Sequence, residues 1–395
     1  MQALCAALGE PQRSFTTLHV VGTNGKSSVT VLTAALLAAG GLRVGACTSP
    51  HVWRWSERVR IDGAEIEAAA FGRAVETVAE AIPEVERTLG ADERITQFEA
   101  AIAASFVALA DAGVDVGVIE AGLGGRLDAT NVIPSTATAL TSVGLDHVEW
   151  LGGTELEIAE EKLAVLQPGS TLVLGRVSPE IDELARRTAD ARGAAVSAAP
   201  SLPGAVLPEG FAPYLARNAA VAASLAETVG VRLEPAEIAD VLASVALPGR
   251  AELIAGDPPL LADAAHNEQG AAALAELIEG FAAGRPVTGC LSILADKDAE
   301  AIVAALAPGL DRCVCTAAEP GAAMGRPGAK AADPARLAEL LDAAGVEAEV
   351  VGEPADAVQR ALSVARERNG VALCAGSHYL LRYAWTARHA QNSSR

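Results

Sequence analysis

Two glycines, a lysine and two serines fall in one short stretch, Gly22-Thr23-Asn24-Gly25-Lys26-Ser27-Ser28, directly after the apolar run 18–21. A Gly-rich turn between a strand and a helix aims backbone N–H groups and a helix N-terminus at phosphates. Lys26 is then expected on the β- and γ-phosphates of a nucleotide, with the Ser27 or Ser28 hydroxyl near its metal. The spacing is shorter than Gly-x-x-x-x-Gly-Lys, with Gly-Thr-Asn-Gly-Lys in its place. An ordinary strand–turn–helix corner needs no such register of glycines and lysine, so the phosphate-binding reading leads.

Further along, Ser49 ends the run 43–48, Glu120 follows the apolar run 114–119, and His147 lies beyond the run 137–141. Strand C-termini are where α/β sheets place their ligands. A hydroxyl, a carboxylate and an imidazole at neighbouring strand ends suit Mg²⁺, although His147 taken alone reads as a hydrogen-bonded loop histidine. The glycines after Glu120 permit close backbone approach to phosphates or to an acceptor. Thr154-Glu155-Leu156-Glu157 is a capping box that opens a helix, and Pro168-Gly169 is expected to stop it. Within it Lys162 has Ile158 and Ala159 one turn before, and Val165 and Leu166 one turn after. A lysine on such a stripe either snorkels to solvent or sits partly buried, where a neutral amine can take up carbon dioxide as a carbamate. Periodicity alone favours snorkelling.

Four motifs now stand in order: 22–28, Thr48-Ser49-Pro50-His51, Glu120-Ala121-Gly122-Leu123-Gly124-Gly125-Arg126-Leu127-Asp128-Ala129-Thr130-Asn131, and Gly144-Leu145-Asp146-His147. Together they resemble the folylpolyglutamate synthase/dihydrofolate synthase branch of the Mur ligase superfamily, over about residues 18–380. The resemblance implies ATP and Mg²⁺ as cofactors, with magnesium on Ser49, Glu120, His147 and a carbamylated Lys162. It implies catalytic roles for Lys26, Lys162 and His147. It places ATP on Gly22, Thr23, Asn24, Gly25, Lys26, Ser27, Ser28, Asn218, Arg250 and Asp263. Asn218 also reads as the N-cap of a helix over 219–228, and Arg250 as a linker charge. Gly124, Arg126, Asp128 and His266 are the implied substrate contacts, though His266 can equally cap the helix after it. The loops Asp296-Lys297-Asp298 and Gly376-Ser377-His378 also resemble family loops. The implied reaction activates an acid as an acyl phosphate and joins it to glutamate, the acid being dihydropteroate or a reduced folate. A paralogous ligase with a non-folate acid is the alternative.

The elements that must position these residues alternate between apolar runs and Ala/Leu-rich helical stretches. Runs at 18–21, 114–119, 137–141 and 171–174 lack in/out alternation, as strands of a sheet covered on both faces do. Runs at 253–254, 260–262, 287–293, 313–316, 348–351 and 371–375 repeat the pattern, with a helix at 333–344 among them. The expected class is α/β: a P-loop-type parallel-sheet ATPase domain at 1–245, then a smaller Rossmann-like α/β domain at 246–395, hinged at 245–250. A net charge of −20 argues against nucleic acid or an anionic membrane as partner. Six scattered cysteines, with Cys313 and Cys315 sharing a strand face, read as packing in a reducing compartment. A cytoplasmic monomer acting on a pteroate- or folate-type acid and L-glutamate is expected.

Overall fold

The computed structural model describes residues 1–90, 92–319 and 328–393. The chain forms two compact units, Met1–Gly144 with Val148–Val245, and Leu145–His147 with Ala246–Arg395.

The first unit is built on an eight-stranded sheet. Its strands in chain order are β1 (Thr16–Val21), β2 (Val44–Cys47), β3 (Val59–Ile61), β4 (Ala64–Glu65), β5 (Val116–Glu120), β6 (Ala137–Leu140), β7 (Thr171–Leu174) and β8 (Ala195–Ala198). The spatial order is β4-β3-β2-β5-β1-β6-β7-β8, so β1 lies in the middle between β5 and β6. All pairings are parallel except those of β3 with β2 and β4. Registry puts Val20 opposite Glu120 and Val21 opposite Leu140. The C-terminal ends of β1, β5 and β6 therefore lie side by side. Strands β2, β5 and β6 are buried throughout, which explains their unbroken apolar character. Ile119 packs in one core with Phe106 and Leu109 of helix Gln97–Asp111. Helix Lys26–Ala39 lies against β2 and β5 and against helix Pro213–Glu227.

Two elements of this sheet escaped the sequence reading. The β3–β4 hairpin turns on Asp62-Gly63, both at positive φ, the turn chemistry of a tight hairpin. Edge strand β8 is a half-exposed Ala-Val-Ser-Ala run with no apolar signal to find. The helix opened by the Thr154 capping box spans Glu155–Leu163 and stops short of Pro168. The chain bends there to bury Val165 and Leu166 completely.

The second unit holds a six-stranded sheet of β9 (Glu252–Ile254), β10 (Leu260–Ala262), β11 (Val287–Leu291), β12 (Arg312–Cys315), β13 (Glu347–Val350) and β14 (Val371–Ala375). The order is β13-β12-β11-β14-β10-β9, parallel but for β9. Cys290, Cys313, Cys315 and Cys374 pack inside it, and all six cysteines are buried free thiols. Among the described residues no helix is long and apolar enough to cross a membrane.

The turn expected to act as a hinge is fastened to this second unit. Gly249 N–H donates to Glu252 Oε2 at 2.8 Å, Ala264 N–H to Gly249 O at 2.9 Å, and Ala251 N–H to Asp263 Oδ2 at 2.7 Å. The chain crosses between the units before it, at Val245 and Ala246.

Candidate active site

Strand β1 delivers the loop 22–25, and helix Lys26–Ala39 leaves it with Gly25 as N-cap at φ 85°. That conformation favours glycine, and the space beside it is closed: a Cβ there would lie 2.5 Å from Asn218 Oδ1. The loop is held from outside by residues just beyond β6. Thr23 N–H donates to Ser142 O at 2.8 Å and Asn24 N–H to Ser142 Oγ at 3.0 Å. Thr141 Oγ1 donates to Asn24 O at 2.6 Å, and Thr23 Oγ1 both donates to Gly144 O and accepts from Gly144 N–H at 3.1 Å. Lys26 folds over the loop, its ammonium donating to Gly22 O at 2.9 Å and Thr23 O at 3.0 Å. Thr141 and Ser142 were not among the expected site residues; their only signal was their place between a strand end and the Gly144-Leu145-Asp146-His147 motif.

Asn218 lies within helix Pro213–Glu227 and does not cap it; its side-chain amide lies close beside Gly25. Glu120, the last residue of β5, is buried at 2 % exposure. Its Oε1 accepts from Ser27 Oγ at 3.0 Å and its Oε2 from the Ser49 N–H at 3.0 Å. One carboxylate thus joins the loop hydroxyl to the end of β2. The Ser28 hydroxyl is buried without a hydrogen-bond partner.

Behind this carboxylate the chain 121–131 forms a compact loop. Asp128, expected to touch substrate, is turned inward instead. Its oxygens accept from Leu123 N–H at 2.8 Å, Thr130 N–H at 2.9 Å and Thr130 Oγ1 at 2.5 Å. Because Thr130 gives its hydroxyl proton to Asp128, it must accept from His19 Nε2–H, 2.8 Å away in β1. Full burial drives the His19 pKa down to about 3, so this imidazole stays neutral. Gly125 rests on helix Glu155–Leu163, where a Cβ would approach Glu161 O to 2.6 Å. Arg126 completes the contact, its N–H donating to Glu161 O at 3.1 Å and its Nε pairing with Glu161 Oε2 at 3.0 Å. Gly124, at φ 69°, packs beside Leu151. On the same helix Lys162 is only 4 % exposed, so its side chain does not snorkel to water.

In the second unit the strand-end loops after β10 and β11 gather around Asp146. Asp263 is buried, its carboxylate accepting from Ala251 N–H at 2.7 Å and Ala265 N–H at 2.8 Å. One oxygen therefore serves the backbone beside Arg250, whose Nη1 donates to Gly249 O at 2.9 Å, and the other serves the loop after β10. His266 donates Nδ1–H to Ala264 O at 2.8 Å and turns Nε2 to Asp146 Oδ2 at 3.6 Å. The cap of helix Glu268–Ala282 is Asn267, not His266. Asp298 and Ser377 cap the elements after their loops. Lys297 pairs with Asp146 Oδ1 at 2.5 Å, and its ammonium is 3.4 Å from His147 Nε2. Burial alone would raise the Asp146 pKa. The His266 hydrogen bond and the charges of His266, Lys297 and His147 outweigh it and hold the carboxyl well below its usual range.

Comparison with known proteins agrees with this architecture. Residues 249–378 match the Mur ligase glutamate ligase domain. The dihydrofolate synthase/folylpolyglutamate synthase of Mycobacterium tuberculosis is 34 % identical over 356 residues, 80 % of this chain and 73 % of that protein. A crystal structure of Mycobacterium tuberculosis folylpolyglutamate synthase complexed with ADP and AMPPCP superposes with a TM-score of 0.89. It is 31 % identical, covering 98 % of this chain and 94 % of the other. The bifunctional Yersinia pestis enzyme with AMPPNP and manganese ion gives 0.83 at 28 % identity, covering 98 % and 92 %. The chain belongs to the folylpolyglutamate synthase/dihydrofolate synthase family of the Mur ligase superfamily.

Proposed function

We propose that this chain is an ATP-dependent ligase that couples L-glutamate to a pteroate- or folate-type acid, releasing ADP and phosphate. The observation that carries the reading is the joining of Lys26, Ser27 and Glu120 around one Gly-rich loop, in a chain of this family. An oxygen of the acid's carboxylate attacks the γ-phosphorus of ATP, and the bond to the β–γ bridging oxygen breaks, releasing ADP. The glutamate amine then attacks the acyl carbon of the acyl phosphate. The C–O bond to phosphate breaks and the amine loses a proton, leaving an amide.

The residues present fit a magnesium–nucleotide group. The buried Glu120 carboxylate already gathers the Ser27 hydroxyl, the Ser28 hydroxyl is orphaned nearby in sequence, and the loop has no room for a Cβ at Gly25. Magnesium, when bound, neutralises phosphate charge. Ser49, Glu120, His147 and Lys162 as its carbamate are the proposed ligands. Lys26 and the amides of residues 22–28 bind the phosphates, and Asn218 fixes the loop around them. Arg250 serves the nucleotide from its turn, while Asp263 acts by holding that turn. For the acid and the amino acid, Gly124, Arg126 and His266 remain the candidates, with Asp128 shaping their loop. An acyl phosphate hydrolyses in water, so the two units are proposed to close during turnover. Six free thiols suit a cytoplasmic location.

The deciding experiment measures ADP release with L-glutamate and a panel of acids. Release that requires dihydropteroate or a reduced folate supports the assignment. Release driven only by an unrelated acid, or none with any folate-type acid, overturns it.

A further inference from the structure

The segment Leu145–His147 belongs to the second unit, although the chain on either side of it belongs to the first. Such a short excursion needs an anchor. Leu145 is half exposed and a quarter of the His147 side chain is open to water, so burial of these two does not supply it. His147 also sits at φ 52°, a left-handed conformation that strains a residue with a Cβ. Such strain persists only where the surroundings over-determine it.

Asp146 supplies that determination. Its Oδ1 accepts from the Lys297 ammonium at 2.5 Å and from the His147 N–H at 2.9 Å, the bond that fixes the left-handed turn. Its Oδ2 accepts from Asn267 Nδ2 at 2.9 Å and faces His266 Nε2 at 3.6 Å. Lys297 is itself buried, its side chain 4 % exposed, and it also pairs with Asp296 at 3.7 Å. Its ammonium lies 3.4 Å from His147 Nε2. The pair therefore grips both the backbone and the ring of His147.

We infer that Asp146 and Lys297 are positioning residues that hold His147 ready for the metal by pinning Leu145–His147 to the loops after β10 and β11. The inference rests on the reading of His147 as a magnesium ligand, and its test separates the two. Hydrogen exchange is followed across residues 142–151 in the metal-free full chain, for the parent, Lys297→Met, Lys297→Arg and Asp146→Asn. Lys297→Met and Asp146→Asn should speed exchange in that segment about tenfold or more while β11 and β14 stay protected. Lys297→Arg, which keeps the charge, should stay nearer the parent. The magnesium concentration at half-maximal turnover should rise about 10–100-fold in Lys297→Met, with turnover at saturating magnesium largely restored. Unchanged exchange in Lys297→Met overturns the tether. Faster exchange with an unshifted magnesium titration, where His147→Ala does shift it, overturns the positioning role and leaves the metal reading intact. Should His147→Ala leave the magnesium requirement unmoved, the ligand reading fails, and the proposed role toward the metal fails with it, whatever the exchange shows.

Discussion

At the scale of single residues, two lysines differ in how they meet the same proposed chemistry. The Lys26 ammonium donates to two carbonyls of its own loop. Lys26→Ala should therefore fold normally yet lose about 10²–10³-fold in ADP formation, the scale of removing one preorganised charge from a developing phosphoryl transition state. ADP release and a melting curve check this together; near-parental turnover would remove the phosphate role. Lys162 is buried on the helix that also buries Ile158, Ala159 and Leu163, an outcome that helical spacing alone weighed against, since it favoured snorkelling. If it carries a carbamate, Lys162→Ala and Lys162→Arg should both lose nearly all activity, because guanidinium cannot take up carbon dioxide. A short-chain carboxylic acid in bicarbonate-free buffer should restore part of the activity to the Ala variant. An active Arg variant would sink the carbamate. The acidic residues were harder to read. Asp263 follows a strand end and Asp128 lies in the loop beyond Glu120, but spacing does not show which backbone N–H groups fold onto a carboxylate.

Elements were legible where an unbroken apolar run signalled a strand buried on both faces, as in β5 and β14. They were illegible where burial was partial, as in β8, or where tertiary packing overrode a stop signal, as after Leu163. Between elements, the link least visible in the sequence is the one from β1 to the loop 121–131 through His19, Thr130 and Asp128. It has a measurable consequence. His19 titrates at about 3 in the folded chain against an ordinary value of 6.5, so between those values the unfolded chain binds a proton that the folded chain refuses. Stability is complete above pH 6.5 on this account and falls as pH drops toward 3. Between pH 7 and pH 5 the loss from this one group is on the order of 2 kcal/mol. Urea unfolding of the parent and of His19→Gln at both pH values checks it. The parent should lose more stability than the variant by about that amount, and equal pH slopes would show that His19 does not carry the linkage.

Across the whole molecule the net charge of −20 sets a field that opposes the proposed reaction, because ATP, folate-type acids and glutamate are all anionic. Enzymes that steer charged substrates lose rate as salt screens the attraction. Here the sign should invert at low ionic strength. The Debye length shrinks from about 30 Å at 0.01 M to about 8 Å at 0.15 M salt, which removes the repulsion of distant carboxylates. The Lys26 contact, a few ångströms from the phosphates in the proposed complex, is screened far less. Turnover per unit of ATP at sub-saturating concentration should therefore rise severalfold between 0.01 M and 0.15 M salt, roughly one Debye-length regime to the next. It should then fall at higher salt, when the local contacts weaken in turn. A neutral osmolyte at matched osmolality should give no rise, and magnesium must be held fixed so that the free metal does not vary. A monotonic fall from the lowest salt would mean that a local positive field around the loop 22–28 outweighs the charge of the whole chain. The net charge would then have no bearing on how ATP arrives.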